Sequence, residues 1–290
     1  MLNSVNPRFQ LPLAVGVSVV AWATAWVSIR VAVTAYTPAQ LALGRYLIAS
    51  AILLPLILAR RPRFNRSDWP RIVGAGLFGF TLYNLGLNAG EQTITAGAAA
   101  LIGSTIPVLS TLSARIFLGE RVGNRVWGGS AIALAGVALI AWGEEAGIGF
   151  GAGAFLVMGA AICAAIYNTL QKPLLDRYAA LDVTAAAIFC GTLLLVPLGG
   201  GLVEAVKMAP LAATLNLLLL GAFPGALGYV LWMWCLAQMP VARLMNYLYL
   251  VAPLSVLMGW LFLRELPSGL ALVGGAITLA GVVYSGRKKG

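Results

Sequence analysis

Thr81, Asn84, Asn88 and Glu91 recur at steps of three, four and three residues, with Tyr83 alongside. On a helix that spacing gathers the four onto one face. Amides and hydroxyls so arranged hold a polar guest by hydrogen bonds; they do not make or break covalent bonds. Asn246, Tyr249 and Pro253 form a matching face, and Ser104 and Thr105 stand just before Pro107. Aromatic residues supply the rest. Trp22 and Trp26 are one helical turn apart, as are Tyr167 and Gln171, and Tyr229 and Trp232 follow a Pro224-Gly225 break. Large rings with a polar handle suit a pocket that grips an apolar or aromatic ligand while offering hydrogen bonds. The candidate binding residues are therefore Trp22, Trp26, Tyr83, Asn84, Asn88, Ser104, Tyr167, Gln171, Tyr229, Trp232, Asn246 and Tyr249.

Plainer readings compete with this one. Buried amides also tie neighbouring membrane helices together, contributing about 0.6 to 2 kcal/mol each. Interfacial belts of Trp and Tyr account for Trp69, Trp127 and Trp142 at helix ends, but fit Trp22 and Tyr229 poorly, since both sit well inside apolar runs. Gly74, Gly76 and Gly79 spell GxGxxG without the preceding strand that dinucleotide binding needs. Close helix packing is the better reading, as for Gly221 and Gly225.

Little here can do covalent chemistry. Histidine is absent, and Cys163, Cys190 and Cys235 lie in apolar runs without CxxC spacing, so no metal, disulfide or cofactor site is expected. No GxSxG and no deep carboxylate pair is present; a serine with Lys172 is the one conceivable dyad, which leaves an enzyme as the distant alternative. A membrane scaffold without transport is a third reading, in which the polar faces serve folding alone.

The elements that would position these residues are membrane spans. Apolar residues are 60% of the 290 positions and charged residues 10%, against about 25% charged in a soluble domain. Runs near the 20 residues or so that a bilayer requires cover approximately 10–34, 38–59, 70–90, 95–118, 125–143, 151–172, 181–203, 210–235, 242–263 and 268–286. Arg8 and the small residues Ala21 and Ala23 resemble a signal peptide, but the run is kept as the first helix because many spans follow it. With the N-terminus in the cytoplasm, Arg8, Arg60, Arg61, Arg63, Arg66, Arg71, Arg115, Arg121, Arg125, Lys172, Arg177, Arg243 and the terminal Arg287, Lys288 and Lys289 all fall on the inner side. The net charge of +10 thus reads as topology and not as nucleic-acid binding. Arg30, Arg45, Lys207 and Arg264 remain, and the outer face also carries Glu91, Glu144, Glu145, Glu204 and Glu265. Arg30, Arg45 and Lys172 are expected to snorkel.

The two halves repeat. Tyr83, Gln92, Ala96 and Pro107 are answered by Tyr229, Gln238, Ala242 and Pro253; the runs around Leu109, Ser110, Phe117, Leu118 and Glu120 return at Leu254, Ser255, Phe262, Leu263 and Glu265. Self-similarity of this kind marks a duplicated architecture. Five spans per half, 10–143 and 151–286, make the halves inverted, with both termini cytoplasmic. A proline inside spans four and nine frees a carbonyl where a helix bends, so Pro107 and Pro253 are candidate hinges. Glu120 and Glu265, beside Arg121 and Arg264, read as helix-end structure in preference to ion coupling.

Ten spans in two inverted halves, the prolines, and Phe-Leu-x-Glu at Phe117 to Glu120 and Phe262 to Glu265 together resemble the drug/metabolite transporter superfamily. The similarity is to its ten-helix EamA-type branch, which includes amino-acid exporters of the YddG type, and Arg45 looks like the arginine the family often has there. The resemblance implies export of small metabolites across the cell inner membrane without a cofactor; it leaves the substrate open. Deep carboxylates are missing, which disfavours efflux of bulky organic cations, and so is a deep Lys or Arg pair for a phosphorylated sugar. Neutral or zwitterionic metabolites remain: small amino acids and relatives, including aromatic and hydrophobic ones, with other metabolite or multidrug efflux as the alternative. The expected partners are this small molecule and the lipid bilayer, and a monomer is compatible with the sequence.

Overall fold

The computed structural model describes residues 7–90, 92, 102–143, 152–263 and 268–286; the side chains of Arg8, Trp26 and Arg30 are among those outside the description. Glu91, Ala96, Glu144, Glu145, Arg264, Glu265 and the basic cluster 287–289 lie outside the described residues. Every described element is helical, as lipid demands of a single chain segment that must satisfy its own backbone.

The first half of the chain contributes α1 (Pro7–Ala32), α2 (Pro38–Arg60), α3 (Trp69–Gly76), a π-helical stretch (Leu77–Leu82), α4 (Tyr83–Gly90), α5 (Ile106–Phe117) and α6 (Asn124–Gly143). The second contributes α7 (Ala152–Leu175), α8 (Ala180–Leu195), α9 (Leu202–Met208) and α10 (Leu211–Leu220), then a π-helical stretch (Gly221–Gly228) leading into α11 (Tyr229–Gln238). There follow α12 (Val241–Met245), a 3-10 stretch (Asn246–Leu250), α13 (Val251–Leu263) and α14 (Gly269–Gly286). Thr37 starts α2 with a reciprocal cap: its hydroxyl accepts from the Gln40 amide at 3.3 Å while its own amide donates to Gln40 Oε1 at 3.0 Å.

Among the described residues, six helical runs are long and apolar enough to cross a membrane: Gln10–Ile29, Pro38–Arg60, Arg66–Gly90, Gly153–Leu175, Leu211–Gln238 and Val241–Phe262. Four more apolar stretches, Ile106–Phe117, Asn124–Ile140, Ala180–Leu195 and Leu272–Ser285, are 10–17 residues long within the described residues; the second and fourth belong to the longer helices α6 and α14. The chain is an all-α, multi-pass membrane protein. The expected run 181–203 is shorter than anticipated because its helix ends at Leu195, ahead of three consecutive glycines of which Gly201 takes φ 75°, a conformation glycine adopts at little cost.

Pro107 opens a helix, which corrects the expectation of a helix-interior kink there, whereas Pro253 lies within the continuous helical run Val241–Phe262. Pro107 is the second residue of α5, after a turn at Ser104 and Thr105, and Pro253 is the third residue of α13, after the 3-10 stretch. In a first turn, as at Pro107, the missing N–H of proline has no intrahelical partner to lose; at Pro253 it leaves a carbonyl of the preceding helical turn without that donor.

One end of the bundle is laced by charge. Arg60 grips Asp182 through two bonds of 2.7 and 3.1 Å. Arg177 and Tyr178 both donate to Asp68, the hydroxyl at 2.8 Å, and the Asn65 amide donates to Tyr178 Oη at 3.0 Å, so the arginine-rich loop is strapped down. The Glu120 carboxylate accepts from the amides of Val241 and Ala242, at 2.9 and 3.2 Å, at the start of α12, where a helix favours negative charge. Lys172 Nζ donates to the carbonyls of Leu236 and Met239 at the end of α11; it caps a helix and does not snorkel. The opposite end is joined by neutral bonds, Tyr36 Oη to Thr214 Oγ1 at 2.8 Å and Gln40 Nε2 to the Gly200 carbonyl at 3.0 Å.

Small residues set the closest helix contacts. Along the α6–α14 seam a Cβ built on Gly136 would lie 2.5 Å from the Gly274 carbonyl oxygen, and one on Gly129 would lie 2.7 Å from that of Gly281. Gly76 meets Cys190 and Gly191 in the same way, so the GxGxxG run is packing surface.

Candidate substrate cavity

Two departures from α-helical winding shape the centre of the molecule. Extra residues in a helical turn re-aim the side chains that follow and recur at functional sites. The stretch Leu77–Leu82 brings Gly79 against Tyr167 so closely that a Cβ there would run into the ring. The stretch Gly221–Gly228 contains Pro224, which leaves a backbone carbonyl without its usual donor, and it delivers Tyr229 and Trp232 to the interior.

The rings form a connected edge-to-face cluster. Trp22 lies 4.8 Å from Trp232 and 5.5 Å from Tyr229; Tyr229 lies 4.9 Å from Phe80, and Phe80 lies 5.3 Å from Tyr167 and 5.1 Å from Tyr46. Such pairs add about 0.5 to 1.5 kcal/mol each beyond their buried area, so the wall is stiff before any guest arrives. It encloses a cavity of about 110 Å³ whose lining includes Trp22, Tyr83, Tyr167, Tyr229 and Trp232. Apolar walls come from Ile29, Leu87, Ile106 and Leu248. The space is ample for several waters or a compact organic group.

Five of the expected binding residues thus meet at one place, and the others whose side chains are described are not among its lining residues. Asn84 is buried behind the wall, donating to Tyr46 Oη at 2.9 Å and to the Phe80 carbonyl at 3.0 Å. Asn88 donates to the Pro38 carbonyl at 3.1 Å and ties α4 to α2. Asn246 accepts from Ser130 Oγ at 2.9 Å and donates to the Ala242 carbonyl, while Tyr249 is packed with Ala133, Val137 and Val282. The span-nine face therefore looks toward α6 and α14. The 3-10 winding there rotates Leu248, not Asn246 or Tyr249, toward the cavity. Ser104 stands in the turn before α5, and Gln171 is fully buried on α7, one residue from Lys172, with neither amide atom bonded among the described residues. The Trp26 side chain lies outside the described set.

Two polar lining residues were not among the candidates, Arg45 and Asn168. Asn168 Nδ2 reaches Ser110 Oγ at 3.3 Å; its position beside Tyr167 and three residues before Gln171 was the available signal. Arg45 is only 6% exposed, which overturns the expectation that it snorkels. It stands seven residues into α2, about 10 Å from the helix start at 1.5 Å per residue, so a reach to the interface was the wrong default. Its guanidinium lies 5.4 Å from the centre of the Tyr46 ring, and one nitrogen is 3.5 Å from Asn84 Oδ1.

A membrane bundle of apolar helices around a small, aromatic, partly polar chamber is the architecture of a solute transporter. The sequence pattern of the EamA-like transporter family matches residues 12–142 and again residues 151–287. The chain belongs to that family, within the drug/metabolite transporter superfamily, and is a secondary transporter and not an enzyme. It is 39% identical over 279 residues to a probable terminal-alkyne amino-acid exporter of Streptantibioticus cattleyicolor, covering 95% of this chain and 93% of the relative. The uncharacterized transporter YdfC of Bacillus subtilis is 33% identical, with 91% and 87% covered. A riboflavin transporter of Rhizobium johnstonii is 29% identical, with 90% and 84% covered. A solved crystal structure superposes with a TM-score of 0.77 over 95% of this chain and 96% of the other at 20% identity, a likeness of fold.

Proposed function

We propose that this transporter exports small amino acids or closely related zwitterionic metabolites, including hydrophobic and aromatic ones, by alternating access of two inverted five-helix halves, 10–143 and 151–286. The observation that carries the reading is the chamber itself: a ring-walled space with few, directed polar groups, lined by both halves of the chain. The probable amino-acid exporter among the relatives, similar over nearly its whole length, points the same way.

Symmetry of contact supports the inverted arrangement and, with it, ten crossings. Gly129 and Gly274 are 145 positions apart, as are Gly136 and Gly281, yet Gly129 packs on Gly281 and Gly136 on Gly274. Equivalent helices crossing antiparallel at equivalent residues are what a twofold axis in the membrane plane produces. The same exchange recurs elsewhere: α1 packs on α10 and α13, while α7 packs on α4 and α5. The π-helical stretches also occupy corresponding places in the two halves. Pro107, at the start of α5, and Pro253, just past the junction of the 3-10 stretch with α13, act in this scheme as paired pivots.

The test is flux in proteoliposomes. Purified protein is expected to move labelled leucine and phenylalanine, and Trp22→Ala or Tyr229→Ala to reduce that movement while leaving the protein folded. The riboflavin-transporting relative favours one rival, export of a bulkier ring system. If riboflavin is moved and amino acids neither move nor compete, the amino-acid reading is wrong and that rival stands.

A further inference from the structure

Arg45 is a buried cation that faces the chamber and has no carboxylate partner among the described residues. Its side chain lines the cavity, and its residue exposure is 6%. Its Nε makes no hydrogen bond, and its contact with Asn84 Oδ1 is 3.5 Å long, at the limit of a hydrogen bond. The two ion pairs found among the described residues, Arg60 with Asp182 and Arg177 with Asp68, are both at the laced end of the bundle. The flank of the Tyr46 ring supplies a cation–π contact, which compensates part of the desolvation and leaves the rest. Among the described residues, therefore, no carboxylate balances this positive charge at the chamber wall.

A guest bearing a carboxylate removes that imbalance, and a planar fork of N–H donors matches a carboxylate by paired, charge-assisted bonds. We infer that Arg45 anchors the carboxylate of the transported molecule and makes this an exporter of carboxylates, with the tail and any ammonium group lying among the faces of Trp22, Tyr167 and Tyr229. The inference deepens the amino-acid reading of the same chamber and rests on it. Cations lacking a carboxylate are repelled by the charge of Arg45, and neutral amides leave that charge uncompensated.

A competition series on the full-length protein in proteoliposomes decides the matter, with labelled leucine as the transported probe. The unlabelled competitors are leucine, its amide leucinamide, 4-methylpentanoate, which keeps the carboxylate and lacks the ammonium, and isoamylamine, which keeps the ammonium and lacks the carboxylate. Leucine and 4-methylpentanoate are expected to compete, and leucinamide and isoamylamine to do so at least about tenfold more weakly, a gap near one bidentate interaction. In Arg45→Gln the advantage of leucine over leucinamide is expected to vanish, and in Arg45→Lys, which keeps the charge and loses the fork, to fall partway. A merely structural arginine lowers all competitors in parallel. Parallel loss, or leucinamide competing as well as leucine against the native protein, overturns the inference. Where Arg45→Gln does not fold, Arg45→Lys and the native competitor series still decide. If native protein moves no amino acid, the export reading fails by itself, and thermal stabilisation of the purified protein by 4-methylpentanoate but not by isoamylamine then tests the anchor separately.

Discussion

The α6–α14 seam and the central chamber are both interiors of one bundle, yet they are made of opposite materials. The seam brings backbones together through Gly129, Gly136, Gly274 and Gly281, and its hydroxyls are bonded locally, Thr278 Oγ1 to the Gly274 carbonyl at 2.9 Å. The chamber keeps backbones apart with Trp22, Tyr167, Tyr229 and Trp232, tolerates π-helical turns in its walls, and leaves Arg45 Nε and the Tyr167 hydroxyl unbonded. In lipid, helices associate by close van der Waals packing, because burying apolar surface there gains little. A region that gives up this packing and leaves polar groups unsatisfied is less stable than it need be, and such sites are where ligands supply what is missing.

That contrast can be broken most severely at the seam. Gly136→Leu forces a side chain against the carbonyl oxygen of Gly274, an obstacle of backbone that no rotamer change relieves; a loss of about 3 kcal/mol or more is expected. Size-exclusion profiles and thermal unfolding in detergent should show little monodisperse protein. A variant that folds and unfolds like the native chain would mean the seam is looser than described. Trp22→Ala, in the chamber, is expected to behave differently: flux falls about tenfold, equivalent to about 1.4 kcal/mol, while the melting temperature changes much less than for the seam variant. Equal damage to fold and flux would erase the distinction between the two regions.

Two milder variants sharpen it at the periphery. Glu120→Ala removes the carboxylate that caps Val241 and Ala242, a loss near 1 kcal/mol as for other N-terminal caps, readable as a lower melting temperature with substrate preference unchanged. Asn88→Leu deletes a single bond to the Pro38 carbonyl and should cost roughly 0.6 kcal/mol, with the leucine flux at saturating substrate intact. A changed substrate preference in Asn88→Leu would return that residue to the binding site.

Much of the helical layout was legible in advance, because a span announces itself by a long apolar run. Where their residues are described, the apolar runs fall on helices, and the one at 181–203 ends early, at Leu195. The aromatic half of the candidate site was legible for a related reason: Trp22, Tyr229 and Trp232 are large amphipathic rings in mid-span, where no interface exists to hold them. The amide half was not. Asn84, Asn88 and Asn246 share faces of their helices in the expected way, but an amide turned inward meets either a cavity or another helix, and helical spacing cannot say which. Each of the three met another helix or its own backbone. Arg45 was read as reaching for the interface because that is how a lone arginine in a span ordinarily escapes lipid, and its burial came to light only with its neighbours Tyr46 and Asn84 in place.

By itself the chain of residues determined that this protein lives in a bilayer, that its elements are helices, that its charges gather at one set of loops, and that its second half echoes its first. Each of these follows from solvent preference or local periodicity, which are properties of short stretches. Tertiary structure alone decided which polar groups would be satisfied and which left waiting, because that depends on the few ångströms between helices far apart in sequence. Gly136 against Gly274 draws two backbones together, and Gly79 in its π-helical stretch seats the Tyr167 ring at the chamber wall. Beside those contacts lies the chamber, and with it the buried guanidinium of Arg45.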